Sequence, residues 1–202
     1  METPAYIIFA GVNGAGKSTF YHTDFWRGPS TPRSLVRINS DEIVVESGGD
    51  PRSSADQLRA GREALCRIDD CLTRHVSFNQ ETTLAGHTCL KTIRRALDEG
   101  YRVTLYYIGL ASSQLALERI AHRVSVGGHP IEEETVRRRY TTSMQNLSSV
   151  VRLCDEVTVF DNSTEFVALA RWTRGTLSWV GNIAMHGQWL MEAICDDDIW
   201  RA

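Results

Sequence analysis

The pattern of apolar and polar positions divides the chain into alternating strands and helices. Ala5-Tyr6-Ile7-Ile8-Phe9-Ala10 is an apolar, β-rich run that reads as a first strand, and residues 19–26 can open a helix after it. A Pro/Ser/Thr loop at 28–33 leads into Leu35-Val36-Arg37-Ile38, a second strand ending at Asn39-Ser40-Asp41-Glu42. Beyond the break at Gly48-Gly49-Asp50-Pro51, Leu58, Leu65, Ile68 and Leu72 fall on one face of a long amphipathic helix from Ser53 to about His75. Residues 76–81 read as a third strand that runs into Thr82-Thr83-Leu84-Ala85-Gly86, and Leu90, Ile93 and Leu97 mark a helix that stops at Gly100.

Val103, Leu105, Tyr107 and Ile108 define a strand over 102–110. A helix from about Ser112 turns Leu117, Ile120, Ala121 and Val124 to the core, which groups Arg119 and Arg123, four apart, on another face. Gly127-Gly128 breaks it. Pro130 suits the first turn of the next helix, Glu132, Glu133 and Glu134 suit its positive end, and Val136, Tyr140, Met144 and Leu147 form its apolar stripe. Residues 156–161 read as a final parallel strand ending at Asn162-Ser163. Repeated strand and helix alternation implies right-handed crossovers and a parallel sheet covered on both faces.

The segment from Gly11 to Ser18, Gly-Val-Asn-Gly-Ala-Gly-Lys-Ser, adds chemistry to this pattern, because it is a complete G-x-x-x-x-G-K-[ST] phosphate loop set between a strand and a helix. Gly11, Gly14 and Gly16 let the backbone approach closely, so that successive N–H groups surround a β-phosphate. Lys17 reaches the β and γ phosphates, and Ser18 offers its hydroxyl to Mg²⁺, a hard cation that keeps several waters. Gly11, Asn13, Gly14, Ala15, Gly16, Lys17, Ser18 and Thr19 are therefore the expected ATP-binding set. Only Lys17 and Lys91 are lysines, which singles out Lys17 as a point-charge phosphate ligand and leaves Lys91 as a solvated helix residue.

Length and charge narrow the class. A chain of 202 residues suits one domain: a core over 1–165 with a lid at about 112–148, and an extension over 166–202 packed on it. A net charge of −3 argues against a general nucleic-acid binder, while a local basic groove stays open. Cys66, Cys71, Cys89, Cys154 and Cys195 are odd in number and include no C-x-x-C, which fits a reducing cytoplasm better than a disulfide or zinc framework. Met1-Glu2-Thr3-Pro4 lacks the basic start of a signal peptide, and no apolar run reaches membrane-spanning length. Trp172, Trp179, Trp189 and Trp200 lie in the tail, where a hairpin around Arg174-Gly175 and a closing helix would complete the core, with a partner-binding surface as the alternative; Asp196-Asp197-Asp198 reads as a solvated helix end.

Among phosphate-loop classes, a guanine-binding switch would need N-K-x-D, and neither lysine sits in that setting. Arg37 and Asn39 interrupt the nearest run that could serve as a second metal motif before Asp41-Glu42, and Ser125-Val126-Gly127-Gly128-His129 lacks the context of a transporter signature. The compact kinase type remains, in which transfer needs positioning, Mg²⁺, charge neutralisation and a carboxylate to accept the hydroxyl proton.

The phosphate loop, Asn39-Ser40-Asp41, Glu81-Thr82-Thr83-Leu84-Ala85-Gly86, Arg123-Val124-x-x-Gly127-Gly128-His129, Arg138-Arg139-Tyr140 to Asn146-Leu147, and Asp161-Asn162-Ser163 together resemble the zeta-toxin family of small kinases. The resemblance implies an α/β fold of the P-loop nucleoside triphosphate hydrolase type, with an arginine-bearing helical lid. It also implies transfer of the γ-phosphate of ATP to a sugar hydroxyl of a nucleotide sugar such as UDP-N-acetylglucosamine, often under restraint by an antitoxin protein. Other readings are a polynucleotide or RNA kinase and an ATP-binding regulatory module without acceptor chemistry.

Asp41 matches the family's catalytic aspartate and is the expected general base; its ordinary alternative is a first-turn helix acid with Ser40 or Asn39 as cap. Glu42 fits that plainer role. Glu81, Thr82 and Thr83, at a strand end where open parallel sheets place ligands, are expected to bind the acceptor, with Glu81 holding its hydroxyls or a metal-bound water; the plainer alternative is a helix cap in which Thr82 and Thr83 bond the local backbone. Arg119 and Arg123 are candidates to neutralise the transferring group, with Arg123 favoured by its motif, against ordinary pairing with acids such as Glu118 or Asp98. Arg137, Arg138 and Arg139 cannot all face one way; Arg138 is the expected acceptor contact. Asn162 is an expected nucleotide contact, and His129 carries no assigned role.

Overall fold

The computed structural model describes residues 3–194 and 197–200. Met1, Glu2, Cys195 and Asp196, singled out above, lie outside the described residues. Strand β1 (Ala5–Ala10) is an interior strand of a seven-stranded sheet. It leads through the phosphate loop into helix α1 (Lys17–His22), then β2 (Val36–Ile38), α2 (Ser40–Glu46), α3 (Ser54–Thr73), β3 (Phe78–Thr82), α4 (His87–Asp98) and β4 (Arg102–Gly109). Helices α5 (Ser113–Ser125) and α6 (Glu133–Leu153) precede β5 (Glu156–Asp161), the hairpin β6 (Val167–Thr173) and β7 (Thr176–Val180), helices α7 (Ile183–His186) and α8 (Gln188–Ala193), and a 3₁₀ turn at Asp197–Trp200.

The order is β2-β3-β1-β4-β5-β6-β7. The first five strands pair in parallel, and β6 and β7 extend the sheet antiparallel. The sheet is thus only partly the parallel one that the alternation implied, because the short turn at Arg174-Gly175, with φ of 49° and 76°, can join only antiparallel neighbours.

The unbroken apolar run of β1 follows from burial on both faces. Tyr6, Ile8 and Ala10 join one core with Ile68, Leu72, Ile93, Leu147, Val150 and Trp172. Ala5, Ile7 and Phe9 join another with Phe20, Trp26, Ala116 and Ile120. Trp172 and Trp189 are buried and Trp200 packs at the core edge, whereas Trp179 is 46% exposed.

Several expected faces and ends are corrected. Helix α1 stops at His22 and not at Trp26, because the Thr23 hydroxyl donates to the Phe20 carbonyl (2.7 Å) and Asp24 takes a φ of 58°. On α3 the buried residues are Ala60, Ala64, Ile68, Cys71 and Leu72, while Leu58 and Leu65 are 58% and 44% exposed; small side chains let this helix approach closely, and Leu65 lines a cleft. On α5 the buried pair is Ala116 and Ile120, and Ala121 and Val124 face outward. Pro130 precedes α6, whose N-cap is Glu132. Within the segment 112–148 expected as a lid, Ala116 and Ile120 at one end and Ser143, Met144, Asn146 and Leu147 at the other are buried.

Candidate active site

The C-terminal ends of β1, β2 and β3 converge on one side of the sheet, the side on which open parallel sheets bind ligands. Parallel register sets Phe9 beside Glu81, Ala10 beside Thr82 and Ile38 beside Gln80. The turn after β1 needs its glycines: a Cβ on Gly11 would lie 2.1 Å from the Ile108 carbonyl oxygen, and Gly16, the N-cap of α1, sits at φ 93°. Ala15 is wholly buried, with its N–H on the Val12 carbonyl (3.1 Å), and Thr19 is exposed beside Ser18 on the first turn of α1.

Lys17 is 9% exposed, and its Nζ donates to the Val12 carbonyl at 3.2 Å, folded back over the loop. Burial lowers its pKa, while Glu81 and Asp41 pull it back up and Arg123 and Arg139 oppose them. That ammonium is poised for an anion. The Ser18 hydroxyl donates to the Glu81 carboxylate, at 2.8 and 3.1 Å to its two oxygens. No cluster of three or more acidic, histidine or cysteine side chains suited to a metal occurs among the described residues. Magnesium would therefore be held by Ser18 and phosphate oxygens, a set that fits its habit of keeping waters.

Glu81 is the hub of a network that includes Arg37, to which the sequence assigned no site role. Its Oε2 accepts from Arg37 Nη2 at 2.8 Å and from Asn39 Nδ2 at 3.0 Å. Arg37 also reaches Glu42 Oε1 (2.9 Å) and Asn79 Oδ1 (3.1 Å), with its guanidinium 3.8 Å from the Tyr21 ring centroid. Burial alone would lower the Arg37 pKa, but the bonds to Glu42 and Glu81 outweigh it and hold it above the usual value. The signal in the sequence was an arginine inside a short strand, between Val36 and Ile38, where a charge needs a partner. Glu81 thus spends its oxygens on Ser18, Arg37 and Asn39.

Asp41 is exposed in the first turn of α2, with its N–H on Asn39 Oδ1 at 2.9 Å, and its side chain lines the cleft. The cleft has a volume of about 530 Å³, and Lys17, Asp41, Glu81, Thr82, Thr83 and Arg139 contribute to its wall. Thr82 Oγ1 also accepts the Leu84 N–H at 3.2 Å. Glu42 pairs with Arg37, in the plainer role expected of it.

The arginines sort differently from expectation. Arg138 lines a separate hollow on the exposed face of α6 with Glu133, Glu134, Arg137 and Thr141, whereas Arg139 lines the cleft. Arg139 Nη1 donates to Asn13 Oδ1 at 3.0 Å, and burial and neighbouring Arg138 lower its pKa. The helical stripe contains the reason: Arg139 stands roughly 60° around the helix from buried Val136, and Arg138 roughly 160°. Arg119 does not enter the cleft wall; its Nη2 donates to the carbonyls of Asn162 (2.6 Å) and Ser163 (3.1 Å). Arg123 Nη2 donates to the His129 carbonyl (3.1 Å), and its Nε is buried without a hydrogen-bond partner among the described residues. Arg123, like Arg119, is not among the residues of the cleft wall. Asn162 Nδ2 donates to the Ala15 carbonyl at 2.8 Å and thereby braces the phosphate loop itself.

The mostly parallel sheet, the phosphate loop at the end of β1, Asp41 in the first turn of α2 and Glu81 near the end of β3 belong to a P-loop kinase fold. The chain belongs to the zeta toxin family, whose model matches residues 1–172. An uncharacterized protein of Haemophilus influenzae is 34% identical over 134 residues, which cover 66% of this chain and 91% of the relative. Among solved structures, the PezAT toxin-antitoxin system of Streptococcus pneumoniae aligns with a TM-score of 0.55 at 17% identity, over 83% of this chain and 72% of that one. The AvrRxo1-ORF1:-ORF2 complex aligns at 0.67 and 17% identity, over 93% of this chain and 64% of that one. The Pnkp1/Rnl/Hen1 RNA repair complex aligns at 0.56 and 17%, over 74% of this chain and 47% of that one. The chain therefore spans less than two thirds of the chains matched in the last two, and at these identities the likeness is one of fold.

Proposed function

We propose that the protein transfers the γ-phosphate of ATP to a hydroxyl of a small molecule held in the cleft. The observation that carries this reading is the shared wall: Lys17 of the phosphate loop and the carboxylate of Asp41 line one cavity. Asp41 accepts the proton of the acceptor hydroxyl as the new oxygen–phosphorus bond forms and the bond to the β-phosphate oxygen breaks, releasing ADP. Lys17, Arg123, Arg139 and the loop N–H groups stabilise the charge on the moving group. Magnesium, when bound, neutralises phosphate charge. Ser18 would hold it, and Glu81 orients Ser18 for that task.

The nucleotide sugar implied by the family resemblance, such as UDP-N-acetylglucosamine, is the reference acceptor. Two of the similar structures are complexes in which a second protein is named, one of them a toxin-antitoxin system, and a restraining protein of antitoxin type is the corresponding partner proposal. A cytoplasmic place of action is in keeping with free thiols at Cys66, Cys71, Cys89 and Cys154, and no helix among the described residues is long and apolar enough to cross a membrane. An RNA kinase would need a basic groove, whereas the cleft wall mixes Asp41, Glu81 and Glu132 with its arginines.

The test is ADP release and product mass from Mg-ATP with a panel of UDP-sugars, free sugars, NAD and short RNAs. Lys17→Ala should abolish tight ATP binding. Asp41→Asn should keep ATP binding and lower turnover by about 10²–10⁴-fold. ATP binding with no phosphorylated acceptor, or full turnover in Asp41→Asn, would overturn the reading and favour a regulatory nucleotide site.

A further inference from the structure

Residues 83–86 join β3 to α4 and belong to neither, and Thr82 and Thr83 line the cleft with Lys17 and Asp41. The backbone just after them is unusual. Leu84 takes a φ of 57°, in the left-handed region that suits glycine, although it carries a large side chain that is wholly buried. Such a conformation persists only where the surroundings fix it, and it tends to occur at functional sites.

Three contacts fix this one. The Leu84 side chain packs in the core that Met144 and Leu147 of α6 also enter. Its N–H donates to Thr82 Oγ1 at 3.2 Å, and its carbonyl accepts from Asn146 Nδ2 at 2.7 Å, a buried bond between residues 62 apart in the sequence. Asn146 is an amide set among the buried residues of α6, where a polar group needs a partner, and it is not in the cleft wall. The helix has other bonds to seat it: Tyr140 Oη donates to the Leu110 carbonyl at 2.9 Å, and Ser143 Oγ lies 2.8 Å from Tyr107 Oη. Two turns before Asn146, on nearly the same face, Arg139 reaches Asn13 of the phosphate loop at 3.0 Å. One helix face thus ties the phosphate loop and the turn after β3, at points about 10 Å apart along its axis.

We propose that Asn146 is a positioning residue: from α6 it holds Leu84 in its left-handed turn and so sets the place of Thr82 and Thr83 in the cleft. The part that these threonines play toward the acceptor rests on the kinase reading above.

The experiment compares the full chain with Asn146→Leu, the milder Asn146→Ser, and Ser143→Ala, which breaks a different buried bond of the same helix. Amide hydrogen exchange over residues 82–86 should quicken about tenfold in both Asn146 variants, the effect of one lost buried hydrogen bond, and stay unchanged over 11–18. With Mg-ATP and UDP-N-acetylglucosamine, or whichever compound of the panel turns over fastest, the acceptor KM should rise about tenfold while the KM for ATP holds. Ser143→Ala should lower the melting temperature and move neither readout. Unchanged exchange over 82–86, or an acceptor KM raised equally by Ser143→Ala, would overturn the inference and leave the kinase reading in place. A wild type that phosphorylates no acceptor would overturn the kinase reading, and with it the acceptor role of the segment.

Discussion

Arg37→Met tests whether the network behind Ser18 is a built support or an ordinary edge-strand ion pair. Arg37 and Glu81 have side chains only 16% and 10% exposed, and their contact is 2.8 Å. Removing one member of a buried pair costs about 3–5 kcal/mol when the other charge is left without a partner. Here Glu81 keeps Asn39 Nδ2 at 3.0 Å and the Ser18 hydroxyl at 2.8 Å, so the expected loss lies at the low end, about 3 kcal/mol. For a domain of this size each kcal/mol moves the melting temperature by about 2–4 °C, which makes the expected shift about 9 °C. Methionine retains much of the aliphatic stem and removes the guanidinium that lies over the Tyr21 ring, so the change is mostly electrostatic.

The assay is thermal unfolding without nucleotide for the wild type, Arg37→Met, Glu81→Gln and the double variant. Because Glu81→Gln removes the charge that Arg37 satisfies, the double variant should fall short of the summed single losses by about 1.5–2 kcal/mol. Both single variants should also raise the magnesium concentration needed for half-maximal turnover, since each releases the Ser18 hydroxyl from its orientation. A loss below about 0.5 kcal/mol with additive singles would refute the reasoning and return Arg37 to the status of an exposed pair with Glu42.

Two further outcomes probe the surroundings of the nucleotide. Trp189 Nε1 donates to Oδ1 of Asp161 at 2.9 Å, and Asp161, 1% exposed, also accepts from Ser163 N and Oγ at 3.0 and 2.8 Å. Trp189→Phe keeps a ring beside Gly109 and removes that bond; the expected cost is about 2 kcal/mol, or about 6 °C, with weaker ATP binding because Asn162 and Ser163 lose their anchor. An unchanged melting temperature and ATP Kd would show that the C-terminal helices do not support the nucleotide site. For His129, burial first and Arg123 second lower the pKa, with Asp41 opposing. The fold thus favours the neutral ring: its contribution is present above the unfolded value of about 6.5 and is lost as pH falls through that value toward the lower folded one. Melting curves from about pH 7.5 to 5.5 should show a steeper acid loss for the wild type than for His129→Gln, and parallel curves would refute it.

What the sequence made legible, and what it did not, separates along physical lines. The phosphate loop and β1 were readable because their requirements are local: glycines that tolerate positive φ, and a strand apolar at every position because both its faces are covered. The α3 and α5 faces were misread in part: Ile68, Leu72 and Ile120 are buried as expected, but Leu58, Leu65, Ala121 and Val124 are exposed. Ala60, Ala64 and Ala116 face the core where the helices come close, and that freed Leu65 for the cleft. Arg37 was read as a break in a metal motif because its meaning lies in Glu81, 44 residues away and brought alongside by the parallel pairing of β2 with β3. Arg138 and Arg139 could have been told apart, since the Val136 stripe fixes which of the two leans inward, but a run of three arginines hides the 100° step between neighbours. The cleft wall was the least legible part. It is assembled from β2, α2, α3, β3 and the turn before α6, and its chemistry emerges only when side chains that look like ordinary surface polars in each segment meet across one cavity.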